Sequence, residues 1–68
     1  MDTYKIYLHT KNKDGTILKS DSFIRNGINI DAAVTDAKIY ARTYWNTKSK
    51  IFVGSVYIKN FENKFVKI

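Results

Sequence analysis

Residues 3–10 have the sequence Thr-Tyr-Lys-Ile-Tyr-Leu-His-Thr, in which apolar and polar side chains alternate. Successive side chains of a β-strand point to opposite sides, so this alternation predicts a strand that is buried on one side only. The side facing a core is expected to be Tyr4, Ile6 and Leu8, and the other side Lys5, Tyr7 and His9.

A hairpin is predicted next. Residues 11–15 end in Asp-Gly, a strong hairpin signal because glycine accepts positive φ and aspartate tolerates it. A second strand is expected over residues 16–24, but Ile17-Leu18 leaves its register undetermined. Residues 25–27, Arg-Asn-Gly, are expected to form a turn or loop.

An amphipathic helix is predicted from about Ile30 to Trp45. Asn29 suits the N-cap position, where its side chain accepts from a free backbone N–H, and Asp31 suits the positive end of the helix dipole. The apolar stripe at three- and four-residue spacing is Ile30, Ala33, Val34, Ala37, Ala41 and Tyr44.

Two further strands are expected, over residues 50–60 and 64–68, joined by a turn at 61–63. Gly54 inside the first of them indicates a bulge or a close backbone approach. In the first of these strands, Phe52, Val56 and Ile58 are expected on one side and Tyr57 and Lys59 on the other. In the second, Val66 and Ile68 are expected on one side and Phe65 and Lys67 on the other. The chain is therefore predicted to be one α+β domain, residues 1–68, a four-stranded antiparallel sheet with one helix on one face in the order β-β-α-β-β.

Composition limits the possible functions. The 68 residues include no cysteine and one histidine, which excludes disulfides and thiolate metal sites. The six carboxylates fall at the N-terminus, in turns, in the predicted helix and, for Asp21, in the second strand, and no glycine-rich phosphate loop is present. We therefore expect no enzyme, no metal and no cofactor. The net charge of +6 suits an anionic partner, although such a charge also serves solubility alone.

The chain shows neither a signal-peptide pattern nor an apolar run of bilayer length. We therefore expect a cytoplasmic protein without a membrane partner.

The face that one helix leaves uncovered is the predicted binding surface, because it must meet either water or a partner. Its predicted members are Lys5, Tyr7, His9, Lys19, Tyr57, Lys59, Phe65 and Lys67, with Lys19 conditional on the register of its strand. Rings beside ammonium groups suit the stacking of bases and the binding of phosphates, but also a protein interface. Ordinary exposed strand residues would give the same pattern.

A second basic cluster is predicted near the end of the helix. It comprises Lys38, Arg42, Trp45, Lys48 and Lys50. Basic residues at this end also offset the helix dipole, and Trp45 is expected either to cover the edge of the core or to anchor a partner.

The order of elements and two short segments resemble those of small phage proteins, most of all anti-CRISPR inhibitors built as one helix on an antiparallel sheet. The segments are Ala37-Lys38-Ile39-Tyr40-Ala41 and Gly54-Ser55-Val56-Tyr57-Ile58. The resemblance implies an inhibitor that docks on a host nucleoprotein complex, such as a CRISPR effector, and blocks nucleic-acid access; it identifies no functional residues. The alternative is a protein that binds DNA or RNA directly through the uncovered face. If the chain is phage-encoded, the expected cytoplasm is that of the host cell. The oligomeric state is left open.

Overall fold

The computed structural model describes residues 1–68. Its elements are β1 (Asp2–Lys11), β2 (Ile17–Gly27), α1 (Ile30–Trp45), β3 (Phe52–Lys59) and β4 (Phe65–Lys67). The strands form one antiparallel sheet in the order β2-β1-β3-β4. The predicted class and the order of elements are confirmed. The single helix is neither long nor apolar enough to cross a membrane.

β1 is an inner strand of the sheet and contributes core residues. Because α1 packs on one side of the sheet, every second side chain of β1 is shielded from solvent on that side. Tyr4, Ile6, Leu8 and Thr10 are all buried, which confirms the predicted alternation.

The helix has the predicted bounds, and both ends are capped. The Asn29 side chain accepts a hydrogen bond of 2.9 Å from the backbone N–H of Ala32. Asn46 takes a left-handed conformation with φ 50°, and its N–H donates to backbone carbonyls of the last turn. Local chemistry therefore determines where α1 begins and ends.

Three alanines, Ala33, Ala37 and Ala41, bring the helix against the sheet, and all three are fully buried. Their methyl groups allow a close approach between the helix backbone and the strands. Tyr44, predicted to lie on the same stripe, is instead 62% exposed, whereas Trp45 is half-buried and packs against the core.

The helix lies over β1 and β2 and does not reach across the whole sheet. The Phe23 ring of β2 contacts Tyr40, Tyr44 and Trp45 edge to face, with centroids 5.5 to 6.1 Å apart. The Nε atom of Arg25 donates to a carboxylate oxygen of Asp36 at 2.7 Å. These contacts hold the helix toward the β2 edge.

The turn predicted at residues 25–27 is wrong, because β2 continues through it. Arg25 pairs with Tyr4, and Gly27 pairs with Asp2 at the start of β1. A Cβ atom on Gly27 would lie 2.8 Å from the backbone nitrogen of Ala33. Glycine is therefore required by the close passage of the strand beside the first helical turn.

The predicted hairpin turn is confirmed, with Gly15 at φ 91°. The carboxylate of Asp14 accepts hydrogen bonds from the hydroxyl and the backbone N–H of Thr16, at 2.7 and 3.0 Å. These bonds favour the charged carboxylate and lower the pKa of Asp14 below its ordinary value.

Replacement of Gly27 by alanine should lower the free energy of unfolding by about 1–3 kcal/mol, because backbone must move to admit the methyl group. The matched control is Gly54→Ala, whose Cβ would meet its nearest atom at 3.5 Å and should leave stability within about 0.5 kcal/mol of wild type. Urea denaturation of both variants checks this. Equal effects of the two substitutions would contradict the steric account of Gly27.

Thr10→Val should raise the free energy of unfolding by about 1 kcal/mol, because the buried Thr10 hydroxyl has no hydrogen-bond partner. Thr3→Val is the control, since the Thr3 hydroxyl donates to the Asn26 side chain at 2.7 Å and its loss should bring no gain. Thermal denaturation followed by circular dichroism measures both. A Thr10→Val variant less stable than wild type would refute the prediction.

Candidate binding interface

We call the side of the sheet turned away from α1 the open face. Its assignment follows from β1, where the buried residues point to the helix and the intervening residues point away. Residues paired across neighbouring strands lie on the same side, so Tyr57 joins Lys5, and Phe65 and Lys67 follow. The sequence-predicted residues on the open face are Lys5, Tyr7, His9, Tyr57, Lys59, Phe65 and Lys67.

Lys19 was expected on this face and instead lies on the helix side. It pairs with Thr10, whose side chain is buried under the helix, and its ammonium group donates to the backbone carbonyl of Trp45 at 3.1 Å. The register shift between Thr10 and Lys11 causes this, because it places an extra β2 residue beside the turn. Lys19 therefore stabilises the end of the helix.

Phe52 was expected on the core side and instead lies on the open face, paired with His9. The register of β1 and β3 shifts between Ile6 and Leu8, which marks a bulge at Gly54. Because of this bulge, Phe52 points to the opposite side of the sheet from the side that regular alternation with Val56 and Ile58 would give it. The bulge anticipated at Gly54 is thus confirmed, and it was the one sequence signal that could have placed Phe52 correctly.

The rings of the open face contact one another across strands. Tyr7 and Tyr57 meet edge to face with centroids 5.8 Å apart, and His9 and Phe52 stack at 5.6 Å with an interplanar angle of 15°. Gly54 lies between the two pairs, where a Cβ would touch Tyr7 and His9. The absence of a side chain there leaves a gap between two aromatic pairs.

Lysine ammonium groups lie over these rings. The Lys5 nitrogen is 5.6 Å from the Tyr7 centroid and 6.0 Å from that of Phe65, which Lys59 also approaches at 6.0 Å. At the other end, Lys11 and Lys50 lie 4.6 and 5.2 Å from the Phe52 centroid. Each such exposed contact contributes about 0.5–1 kcal/mol and holds a cation close to a ring.

Side-chain charge is distributed unevenly between the two sides of the sheet. The open face with its margins has five lysines, namely Lys5, Lys11, Lys50, Lys59 and Lys67. No side-chain carboxylate lies on it: Asp2 and Asp21 point to the helix side, Asp14 and Glu62 lie in turns, and Asp31 and Asp36 are on the helix. The positive potential of a chain of net charge +6 is therefore concentrated on one surface.

The members of the second predicted basic cluster make different contacts. The Arg42 guanidinium donates to the carbonyls of Thr47 and Ser49, so it orders the loop after the helix. Trp45 packs against the core, which is the first of its two predicted roles, and Lys50 belongs with the open face. Lys38 is half-buried on the helix and Lys48 is exposed in the loop.

No three histidine, aspartate or glutamate side chains are grouped closely enough to hold a metal ion. Comparison with protein-family models, with curated proteins and with solved structures finds no match to this chain. The resemblance to anti-CRISPR inhibitors stays a prediction, and the open face itself provides the grounds for a functional proposal.

The Tyr7–Tyr57 pair should show a coupling free energy of about 0.5–1.5 kcal/mol in a double-mutant cycle of alanine substitutions, because the rings contact edge to face. A cycle between Tyr7→Ala and Tyr44→Ala, on opposite sides of the sheet, should be additive. Urea denaturation of the single and double variants gives both values. Additivity in the first cycle would mean that the two rings do not pack in solution.

Proposed function

We propose that this protein binds single-stranded nucleic acid on the open face. The observation that carries the proposal is the separation of charge: five lysines and five ring side chains share one surface that has no side-chain carboxylate. Ammonium groups suit the phosphates of a nucleic acid, and rings suit its unstacked bases.

The placement of the lysines favours a nucleic-acid strand that lies across the β-sheet. They lie at both ends of the ring-bearing area, with Lys11 and Lys50 near Phe52 and with Lys5 and Lys59 near Phe65. Phosphates would replace the rings as the partners of the ammonium groups, which would release ring surface for bases. Binding would thus exchange weak contacts within the protein for stronger contacts with the ligand.

A single strand suits this face better than a duplex. The sheet surface presents half-buried rings and no protruding helix or ribbon of the kind that enters a major groove. The part of the face formed by β2 has Ser20 and Ser22 opposite His9 and Tyr7, and these small side chains leave the rings accessible from that side.

A second candidate function is an inhibitor that docks on a host nucleoprotein complex, such as a CRISPR effector, and blocks its nucleic-acid access. The Tyr7–Tyr57 pair favours it, because clustered tyrosines are common anchors of protein interfaces. Both candidates use the same face and differ in whether the isolated protein binds nucleic acid.

Fluorescence anisotropy with a labelled oligothymidylate tests the first function. With about four phosphates neutralised, affinity should fall roughly 50-fold between 50 and 200 mM salt, since each contact contributes about 0.7 to the logarithmic slope. Lys5→Ala should weaken binding and reduce the slope by about 0.7, whereas Tyr57→Ala should weaken binding by about 1–3 kcal/mol without changing the slope.

The charge-matched control is Lys38→Ala, on the helix and therefore on the other side of the sheet, which should bind like wild type. Absence of binding at low salt would reject direct nucleic-acid binding. In that case, the docking function would be supported if the protein inhibits the binding of target DNA to purified CRISPR effector complexes. The Tyr7→Ala and Tyr57→Ala variants should lose this inhibition. Binding that is weakened by Lys38→Ala and unaffected by Lys5→Ala would show that the open face is the wrong surface.

A further inference from the structure

β2 is a long free edge of the sheet. Its eleven residues pair with β1 on one side only, so the N–H and C=O groups on the other side have no strand to meet. The backbone N–H of Ser22 donates to the carboxylate of its neighbour Asp21 at 2.8 Å, which shows that this N–H points away from β1. The middle of β2 therefore offers backbone groups that can pair with another strand.

A shallow depression of about 400 Å³ lies along this edge. Its lining consists of Lys5, Ser22, Phe23, Ile24, Arg25 and Tyr40. Large apolar side chains around it remain in solvent, with Ile24 56% exposed, Tyr40 46% and Tyr44 62%. The edge thus combines unpaired backbone with uncovered apolar surface on both sides of the strand.

Two antiparallel copies of β2 would have complementary charges. Asp21 and Arg25 lie two residues before and two residues after Phe23, and all three point to the helix side of the sheet. If two copies of β2 pair antiparallel about Phe23, the two Phe23 rings lie opposite each other. Each Asp21 then lies opposite Arg25 of the second copy, so opposite charges meet twice.

The position of the helix fits the same arrangement. α1 packs on β1 and β2, so it lies over the β2 half of the sheet. A two-fold axis along the outer edge of β2 would place the two helices on the same side of the joined sheet, with the flanks above β2 facing each other. Tyr40 and Tyr44 lie on the flank that would fill this contact.

We propose that the β2 edge docks a second copy of this chain, giving a two-fold dimer with a continuous eight-stranded sheet and two adjacent helices. The Ser22 N–H then donates to the second copy, and the Asp21 carboxylate is released to pair with Arg25 across the interface. A chain of 68 residues without cysteine gains buried apolar surface in this way. The dimer also joins the two open faces on one side of one sheet, although its formation does not depend on their ligand.

Sedimentation velocity from micromolar to millimolar concentration tests the dimer without any nucleic acid. Wild type should pass from monomer to dimer. Asp21→Lys should weaken association at least about tenfold, because like charges then meet twice. Glu62→Lys makes the same change of charge in the β3–β4 turn and should associate like wild type.

A mixing experiment makes the test specific for this register. Arg25→Asp should also fail to self-associate, because Asp21 would then face the introduced aspartate. An equimolar mixture of Asp21→Lys with Arg25→Asp should form a heterodimer, since both charge contacts become complementary. Circular dichroism of each variant alone checks that it is folded, because Arg25→Asp also removes the ion pair with Asp36. If Arg25→Asp is unfolded, the comparison of Asp21→Lys with Glu62→Lys remains the test.

A wild-type protein that stays monomeric at all concentrations would overturn the proposal, as would equal association of Asp21→Lys and Glu62→Lys. Loss of the dimer in Val66→Lys but not in Asp21→Lys would place the interface on the β3–β4 half of the sheet and would also overturn it. Neither result bears on the anisotropy measurements, so the two proposals fail separately.

Discussion

The structure depends above all on the contact between three alanines of α1 and the buried side of β1. Ala33, Ala37 and Ala41 present only methyl groups, so the helix lies close against Ile6 and Leu8. Close packing of this kind removes water from both surfaces and excludes other positions for the helix. Gly27 belongs to the same contact, because a Cβ there would strike the backbone of the first helical turn.

This contact leaves part of the sheet uncovered. The helix lies over β1 and β2, where Phe23 and the Arg25–Asp36 ion pair hold it, so Val56 and Ile58 of β3 are only partly buried and β4 is left uncovered. Val66 and Ile68 remain 48% and 62% exposed on the helix side of that half. No helix or strand covers the open face. Its lysine side chains are therefore free to lie over the rings of the same face.

The functional proposals follow from two consequences of this asymmetry. The open face concentrates lysines and rings because the carboxylates lie on the helix side, on the helix and in turns. The β2 edge remains available because α1 approaches it from above without covering its outward backbone groups. The open face offers charge and ring surface to a ligand, and the edge offers backbone hydrogen bonds and apolar surface to a second copy.

The sequence by itself determined the elements and much of the open face. Alternation assigned Lys5, Tyr7 and His9 correctly because side-chain direction within one strand follows from covalent geometry. The helix bounds were predictable because Asn29 and the chain after Trp45 act locally on the free backbone groups of the helix ends.

Only the tertiary structure decided the positions of Lys19 and Phe52. Each depends on a bulge, and a shift of one residue in pairing moves a side chain to the other side of the sheet. The same holds for Arg25, whose strand conformation depends on its pairing with Tyr4. Registers are contacts between distant segments, and the local sequence that predicts a strand does not contain the partner against which that strand is aligned.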